Sequence, residues 1–163
     1  MDIANDLRKI SEQESAIEFR LFDEAVAWQL GAALRQAALQ RDAAITIDIR
    51  RGEEILFFHA MKGTSPANAD WARRKRNAVE LIRRSSYALG LEQTRDGASV
   101  IDKMALPPRD YACHGGSFPI RVSGAGHVGT VTASGLPQRE DHALVVEVLA
   151  RHLGMDYSVI ALD

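Results

Sequence analysis

Spacings of three and four between apolar residues predict the helices of this chain. An amphipathic helix is expected from residue 3 to about residue 14, because Ile3, Leu7 and Ile10 fall on one face. Asp23 suits the N-cap of a long helix that ends near residue 41, since its carboxylate can accept from free backbone N–H groups. The stripe of this helix is rich in small residues, which indicates that something packs closely on it: Val26, Leu30, Ala33, Leu34 and Ala37.

Two further helices are predicted in the second half of the chain. Pro66 opens one that extends to about residue 89. Pro137 suits the first turn of the last helix, and Glu140 and Asp141 complement its positive end. This last helix is apolar over much of its circumference and should be well buried; the apolar positions include Val145, Val146, Val148 and Leu149.

Alternation of apolar and polar residues predicts the strands. The clearest runs over residues 43–50, where Ile45, Ile47 and Ile49 share one face. Residues 55–61 are apolar on both faces, so we expect this strand in the middle of the sheet with layers above and below it. A second hairpin is predicted from strands at residues 118–122 and 128–134, and short strands are expected at residues 18–22 and 158–162.

The order of these elements indicates the fold class. Two hairpins without a repeated βαβ unit predict an α/β protein of the α+β type, with a central, mostly antiparallel sheet flanked by helices. The length of 163 residues, 46% hydrophobic and 26% charged, fits one three-layer domain over residues 1–163. The connection over residues 92–116 is long for a compact domain, and such connections are typically functional or packed on a partner.

Composition and charge exclude several classes of function. A net charge of −2 gives no reason to expect a nucleic-acid partner or an anionic membrane surface. No apolar run approaches the roughly 18 residues that span a bilayer, and the N-terminal residues do not resemble a signal peptide. The single cysteine, Cys113, excludes an internal disulfide and a multi-cysteine zinc site. We therefore expect a cytoplasmic protein without a membrane partner.

Lys75 lies within an apolar stripe of the helix that starts at Pro66. At helical spacing it shares a face with Trp71, Ala78 and Ile82. Burying a bare ammonium costs several kcal/mol or shifts its pKa, so a buried Lys75 needs a carboxylate partner or an anionic ligand. The alternative is an exposed basic turn in which Lys75 extends past Trp71 into solvent.

Residues 113–116, Cys-His-Gly-Gly, form a second candidate. Adjacent residues of an extended chain point in opposite directions, so Cys113 and His114 are not expected to form a catalytic dyad, and Cys113 is not expected to be a nucleophile. Gly115 and Gly116 allow backbone amides to converge on an anion. The alternative is a flexible lead into the next strand, with a buried cysteine that behaves as a small apolar residue.

Asp141 and His142, in the first turn of the last helix, form a third candidate. A carboxylate there acts by default as a cap and a partner of the helix dipole. His142 lies on the side of Val146 and Leu149, so it is either a core histidine or a ligand-binding one. No histidine pair has metal-site spacing and no nucleotide-binding or serine-hydrolase motif is present, so we predict no metal ligands and leave the catalytic residues unassigned.

Four segments together resemble one protein family. They are residues 71–77 (Trp-Ala-Arg-Arg-Lys-Arg-Asn), 85–87 (Ser-Ser-Tyr), 114–120 (His-Gly-Gly-Ser-Phe-Pro-Ile) and 134–142 (Ser-Gly-Leu-Pro-Gln-Arg-Glu-Asp-His). The chain resembles the haem-degrading, HbpS-like domain family over nearly its whole length. This resemblance implies a central antiparallel sheet flanked by helices, and dimers that build higher oligomers. It also implies relatives that bind haem or stand beside cobalamin-handling enzymes.

The resemblance makes haem a candidate ligand but identifies no ligand motif. A tetrapyrrole needs an apolar slot, an iron ligand and cations for its propionates. On chemistry alone His114 is the candidate for the iron, and Arg74 and Lys75 are the candidates for the carboxylates. The full set of predicted ligand-binding residues is Trp71, Arg74, Lys75, His114, Gly115, Gly116, Asp141 and His142.

Three hypotheses of function follow. The first is a cytoplasmic homo-oligomer that binds a small anionic ligand, with haem as the named candidate. The second is an enzyme acting on an oxidised or carbonyl-bearing small molecule, in which Lys75 and His114 supply electrophilic and acid–base assistance. The third is a structural adaptor that binds other proteins through its oligomeric surface.

Overall fold

The computed structural model describes residues 2–163. Along the chain the elements are α1 (Ile3–Ala16), α2 (Glu24–Gln40), β1 (Thr46–Arg51), β2 (Glu54–Ala60), α3 (Pro66–Ile82), α4 (Ser86–Asp96), α5 (Val100–Lys103), β3 (Ser117–Val122), β4 (Gly126–Ser134), α6 (Gln138–His152) and α7 (Tyr157–Ile160). Within residues 2–163, no helix combines the length and the apolarity that crossing a membrane requires.

The four strands form one antiparallel sheet in the order β2-β1-β4-β3. Ile47 and Ile49 of β1 belong to the main hydrophobic core, into which α2 and α6 also pack. Asp48, between them, points to the opposite face and pairs with Arg76 of α3. The sheet is thus covered by helices on both faces, which confirms the predicted α+β class.

The small-residue face of α2 is explained by this packing. Gly31 lies against the ring of Phe57 in β2, and a Cβ atom at this position would come within 2.5 Å of that ring. Leu30, Leu34 and Ala38 of the same helix are fully buried in the main core. The close neighbours that the sequence predicted for this helix are therefore the sheet and α6 of the same chain.

The placement of β2 in the middle of the sheet was wrong. β2 is an edge strand that pairs with β1 on one side only, and Ile55 and Phe58 are 56% and 50% exposed. A run that is apolar on both faces is typical of a strand with neighbours on both sides. In this chain β2 has a neighbouring strand on one side only.

The segment predicted as one helix from Pro66 to about residue 89 is two helices. Arg83 adopts the left-handed conformation (φ 62°, ψ 29°) and ends α3. Ser85 then caps α4 by accepting from the N–H of Ala88. The pair Ser85-Ser86 was the signal for this break, because serine at an N-cap competes with continuation of a helix.

Two short strand predictions were also wrong. In residues 18–22 only Phe19 forms a bridge, to Val122. Residues 158–162 overlap α7, whose first N–H groups are capped by Asp156. Conversely, Asp23 caps α2 as predicted, accepting from the N–H of Val26 at 2.9 Å.

Candidate functional site

α3 brings Lys75 to the inside of the fold. Arg76, the next residue, binds Asp48 of the sheet at 2.9 Å, which holds this part of α3 against the strands. The Lys75 side chain is only 5% exposed, and its Nζ donates to Oδ2 of Asp141 at 2.8 Å. A longer bond of 3.4 Å joins the same Nζ to the carbonyl of Ala133. Lys75 is thus buried and paired with a carboxylate, and it does not lie in an exposed basic turn.

Asp141 binds more than the lysine. Its Oδ1 accepts from the N–H of Leu136 at 3.0 Å, and its Oδ2 accepts from the N–H of Gly135 at 3.3 Å. Burial raises the pKa of Asp141, although the Lys75 ammonium and these two N–H groups act in the opposite direction. The carboxylate therefore ties together α3, α6 and the loop that joins β4 to α6.

The two glycines of the 113–116 segment allow this loop to approach the pair. A Cβ atom on Gly116, which has φ 127°, would lie 2.3 Å from the carbonyl of Ala133 and 2.9 Å from Nζ of Lys75. A Cβ atom on Gly115 would lie 2.0 Å from the carbonyl of Gln138. The glycines are thus required for close packing around Lys75 and the start of α6.

An open cleft of about 230 Å³ lies over the Lys75–Asp141 pair. We call it the Lys75 cleft. Its walls come from α3, from the loop before β3 and from the start of α6, so segments distant in sequence meet there. It is lined by Asn68, Trp71, Lys75, His114, Ser134, Gly135, Leu136, Gln138 and Asp141.

Beside the cleft, the side chains of Trp71, His114 and Arg74 contact one another. The rings of Trp71 and His114 meet edge to face with centroids 5.0 Å apart. The guanidinium of Arg74 lies over the Trp71 ring at 4.4 Å and donates to the carbonyl of Pro108. Burial lowers the pKa of His114, and the positive charges of Lys75 and Arg74 lower it further. The imidazole is therefore neutral at pH 7.

Four of the eight predicted site residues line this cleft: Trp71, Lys75, His114 and Asp141. Arg74, Gly115 and Gly116 do not line it: Arg74 contacts the Trp71 ring, and the two glycines pack closely against Gln138, Ala133 and Lys75. His142 lies elsewhere: it is 1% exposed, packs near Tyr87 and Phe118, and its Nε2 lies 2.8 Å from Oε1 of Gln13. Burial lowers the pKa of His142 to about 3, so it is a neutral core histidine.

Cys113 is also separate from the cleft. Its side chain lies in a small apolar cluster with Ala78 and Leu89. Burial raises the pKa of Cys113 to about 11, so little of the reactive thiolate forms near neutral pH. This environment agrees with the expectation that Cys113 is not a nucleophile.

Sequence reasoning missed the polar residues at the mouth of the cleft, namely Asn68, Ser134 and Gln138. Ser134 and Gln138 stand in the same segment as Asp141, but their residue types are common and no spacing marks them. Asn68 accepts from the backbone N–H of Ser65 in the capping box of α3, so its position follows from helix capping. These residues add hydrogen-bonding groups around the buried charge pair.

Comparison with known proteins identifies the family. The model of the haem-degrading, HbpS-like proteins matches residues 22–150, which is most of the chain. The chain belongs to this HbpS-like family. A relative at 54% identity, called a UPF0303 protein, occurs in Paraburkholderia phymatum, and the match covers 99% of this chain and 98% of that protein.

Solved structures support the same family fold. The crystal structure of the Ybr137w protein superposes with a TM-score of 0.82 at 25% identity, covering 91% of this chain and 87% of that one. A PduOC–haem complex superposes with a TM-score of 0.65 at 16% identity, covering 76% of this chain and 89% of that one. At this low identity the second likeness concerns the fold alone.

Proposed function

We propose that this HbpS-like protein binds a small anionic molecule in the Lys75 cleft. The observation that carries the proposal is a lysine ammonium, 5% exposed, at the base of a cleft rather than at the surface. An ammonium has three N–H donors, and the described residues supply Lys75 with two acceptors, Asp141 and the carbonyl of Ala133. The third donor is available to a carboxylate or carbonyl oxygen.

The walls of the cleft favour a flat acid over a compact inorganic anion. Trp71 and the neutral His114 present ring surfaces beside the charge pair, and such surfaces stack on planar groups. Asn68, Ser134 and Gln138 can hydrogen-bond to polar substituents at the mouth. A small aromatic or unsaturated carboxylic acid combines these properties.

Haem does not fit the Lys75 cleft of a single protomer. Pockets that enclose drug-sized ligands usually have volumes of about 300–1,000 Å³, whereas this cleft measures about 230 Å³. The edge contact with Trp71 occupies one side of the His114 ring, and the Arg74 guanidinium already contacts Trp71 and Pro108. Haem is named for the family and for the PduOC complex. The residues selected here for its iron and propionates do not form a site of the required size.

Catalysis is the second candidate function, and the neutral His114 is the observation that favours it. A neutral imidazole can exchange protons with a substrate, while Lys75 polarises a carbonyl oxygen. Turnover of a carbonyl-bearing acid that is lost in Lys75→Ala, with the fold intact, would indicate an enzyme. Binding without turnover would indicate a carrier or sensor.

We also propose that the protein is a cytoplasmic homo-oligomer. The oligomer is supported by family resemblance and by the exposed apolar residues of β2. The cytoplasm is supported by a single, buried cysteine that needs no disulfide partner.

Native mass spectrometry of the purified protein tests ligand and assembly together. We expect masses at multiples of the 17.9 kDa chain, with an excess that corresponds to a small acid. The excess should persist in Lys103→Met, which removes an exposed lysine, and disappear in the double variant Lys75→Met/Asp141→Asn, which removes the buried pair. An excess that persists in the double variant would contradict the proposed site. A mass excess that corresponds to haem and persists in the double variant would identify haem bound elsewhere.

A further inference from the structure

The charges around the Lys75 cleft do not balance once an anion has entered it. Of the described residues that line the cleft, only Lys75, Asp141 and His114 can carry a charge. Lys75 and Asp141 form a pair at the base, where both side chains are at most 5% exposed, and their opposite charges cancel. His114 is neutral at pH 7, because burial and the cations Lys75 and Arg74 lower its pKa. The cleft without a ligand is therefore neutral.

A carboxylate that binds Lys75 brings a charge that the cleft does not compensate. The ammonium is already paired with Asp141 at 2.8 Å, so the ligand and Asp141 would share one cation. Two carboxylates in one site repel each other, and this repulsion favours the binding of a proton. The groups that could accept such a proton are the ligand, Asp141 and His114.

Asp141 is poorly placed to accept the proton. Its two oxygens already accept from the Lys75 ammonium and from the N–H groups of Leu136 and Gly135. Protonation would turn one of these oxygens into a donor that faces another donor. Burial raises the pKa of this carboxyl, but the same three donors act in the opposite direction. Asp141 therefore stays charged before and after an anion binds.

His114 is well placed to accept the proton. Within residues 2–163 its ring has an edge contact with Trp71 but no hydrogen-bond partner, so its nitrogens are available to a ligand. Its backbone is close to the ammonium: a Cβ atom on Gly116 would lie 2.9 Å from Nζ of Lys75, and two residues of chain span at most about 7 Å. A ligand carboxylate can thus contact Lys75 and His114 together, and such an opposite charge raises the pKa of a histidine.

We propose that His114 takes up a proton from solvent when a monocarboxylate binds in the Lys75 cleft, so that the acid and one proton bind together. The imidazolium donates to the ligand and balances its charge, while Lys75 remains paired with Asp141. This inference rests on the proposed binding of an anion in this cleft. It adds His114 to the groups that hold the carboxylate. It also narrows the ligand to a monoanion, because one imidazolium compensates one negative charge.

Proton uptake makes the affinity depend on pH in a defined direction. Below the pKa of His114 in the free protein the imidazole is already charged, and above its pKa in the complex it is neutral in both states. Between these two values the complex holds one more proton than the free protein. The dissociation constant of a monocarboxylate therefore rises by up to about tenfold per pH unit in this window. If Lys75 were the only cation involved, the affinity would be constant there.

Calorimetric titration with benzoate counts the proton. The buffer supplies it, so the measured binding enthalpy should differ between Bis-Tris and imidazole, two buffers that are not anions and have different enthalpies of ionisation. The difference in binding enthalpy, divided by the difference in ionisation enthalpy, gives the number of protons taken up. Repeated from about pH 5 to 8, where histidine changes its charge, this number should pass through a maximum that approaches one.

Two histidine variants identify the residue that binds the proton. His114→Gln keeps a polar side chain in the wall of the cleft, and we expect it to bind benzoate without proton uptake and with an affinity that does not depend on pH. His152→Gln, at an exposed position of α6, is the matched control and should take up the proton as the wild type does. Proton uptake that persists in His114→Gln would overturn the assignment to His114.

The outcomes separate this inference from the proposed function. Benzoate that binds the wild type without proton uptake anywhere between about pH 5 and 8 would overturn the inference and leave the anion site in place. No benzoate binding at all would contradict the proposed function and, with it, the inference. NMR titration of the His114 ring, recognised by the signal that His114→Gln lacks, provides a direct check. Saturating benzoate should raise the midpoint of this titration, and an unchanged midpoint would overturn the inference.

Discussion

Lys75 and Asp141 compensate each other's buried charge. Both side chains are at most 5% exposed and their charged atoms lie 2.8 Å apart. Removing one member of a buried pair leaves an uncompensated charge, whereas replacing both members is much less costly. The pair therefore contributes to the cleft in two ways, as a polar base and as a constraint on α3 and α6.

We predict that Lys75→Met lowers the free energy of unfolding by about 3–5 kcal/mol. The double variant Lys75→Met/Asp141→Asn should recover most of this loss, because the asparagine is neutral and its side-chain oxygen can still accept from a loop N–H. Urea unfolding of the two variants and of the exposed control Lys103→Met measures the difference. If Lys75→Met unfolds at the same urea concentration as the control, the ammonium is not buried in solution.

His142 predicts how stability depends on pH. Burial lowers its pKa to about 3 in the folded protein, whereas in the unfolded chain the value is about 6.5. Between these values the unfolded chain binds the additional proton, so the stability due to neutral His142 is complete above pH 6.5 and is lost as the pH falls toward 3.

The slope from this single group is about 1.4 kcal/mol per pH unit inside that window. His142→Gln retains a hydrogen-bonding partner for Gln13. It should lower the slope of the unfolding free energy against pH by the amount that one proton contributes, about 1.4 kcal/mol per pH unit. His152→Gln, at an exposed position, is the control and should behave like the wild type. Equal pH profiles for the two variants would contradict the buried, neutral assignment.

The sequence predicted part of the candidate site because a few residues are unusual among their neighbours in the chain. A lysine in an apolar stripe and a Gly-Gly pair beside His114 are detectable without a structure, and three-dimensional packing brought them together. His142 was misplaced because helical spacing gives the side of a helix but not the depth at which that side is buried. Ser134 and Gln138 gave no signal, since polar residues near a helix start are usual.

Arg83 determines where α3 ends and α4 begins. It adopts a left-handed backbone conformation (φ 62°) that is unfavourable by about 1–2 kcal/mol for residues with a Cβ atom. The direction of α4 depends on this turn, and through α4 so does the packing of Tyr87 and Leu91 on Ile10 of α1.

We therefore predict that Arg83→Gly stabilises the protein by up to about 1 kcal/mol, after the greater freedom of glycine in the unfolded chain is subtracted. Arg35→Gly, at an exposed position inside α2, should instead destabilise it by about 1 kcal/mol. Thermal unfolding of both variants provides the comparison. A loss of stability in Arg83→Gly that matches Arg35→Gly would show that the turn carries no strain.

Most elements followed from periodicity, but their ends and neighbours did not. The 3.6-residue spacing and the Asp23 cap predicted α1 and α2 closely, since these signals are local. The division of α3 from α4 depends on one left-handed residue that is not glycine, and the sequence rarely marks such a residue. α7 was predicted as a strand because a short apolar run fits either structure.

The edge position of β2 bears on how whole molecules assemble. Its pattern predicts a strand with neighbours on both sides, and the protomer supplies one neighbour. In the proposed homo-oligomer, the exposed side chains of this strand, Ile55 and Phe58, are candidates for burial against another subunit. The sequence pattern would then describe the assembly, which a single chain cannot show.

We have proposed that the Lys75 cleft binds a small acid through the buried ammonium. Isothermal titration with benzoate, a flat carboxylate, and with uncharged benzyl alcohol tests it directly. We expect benzoate to bind more tightly than benzyl alcohol to the wild type and to Lys103→Met. We expect Lys75→Met/Asp141→Asn to bind benzoate at least about tenfold more weakly than the wild type does. Equal benzoate affinity in the wild type and the double variant, or no measurable benzoate binding to the wild type, would contradict it.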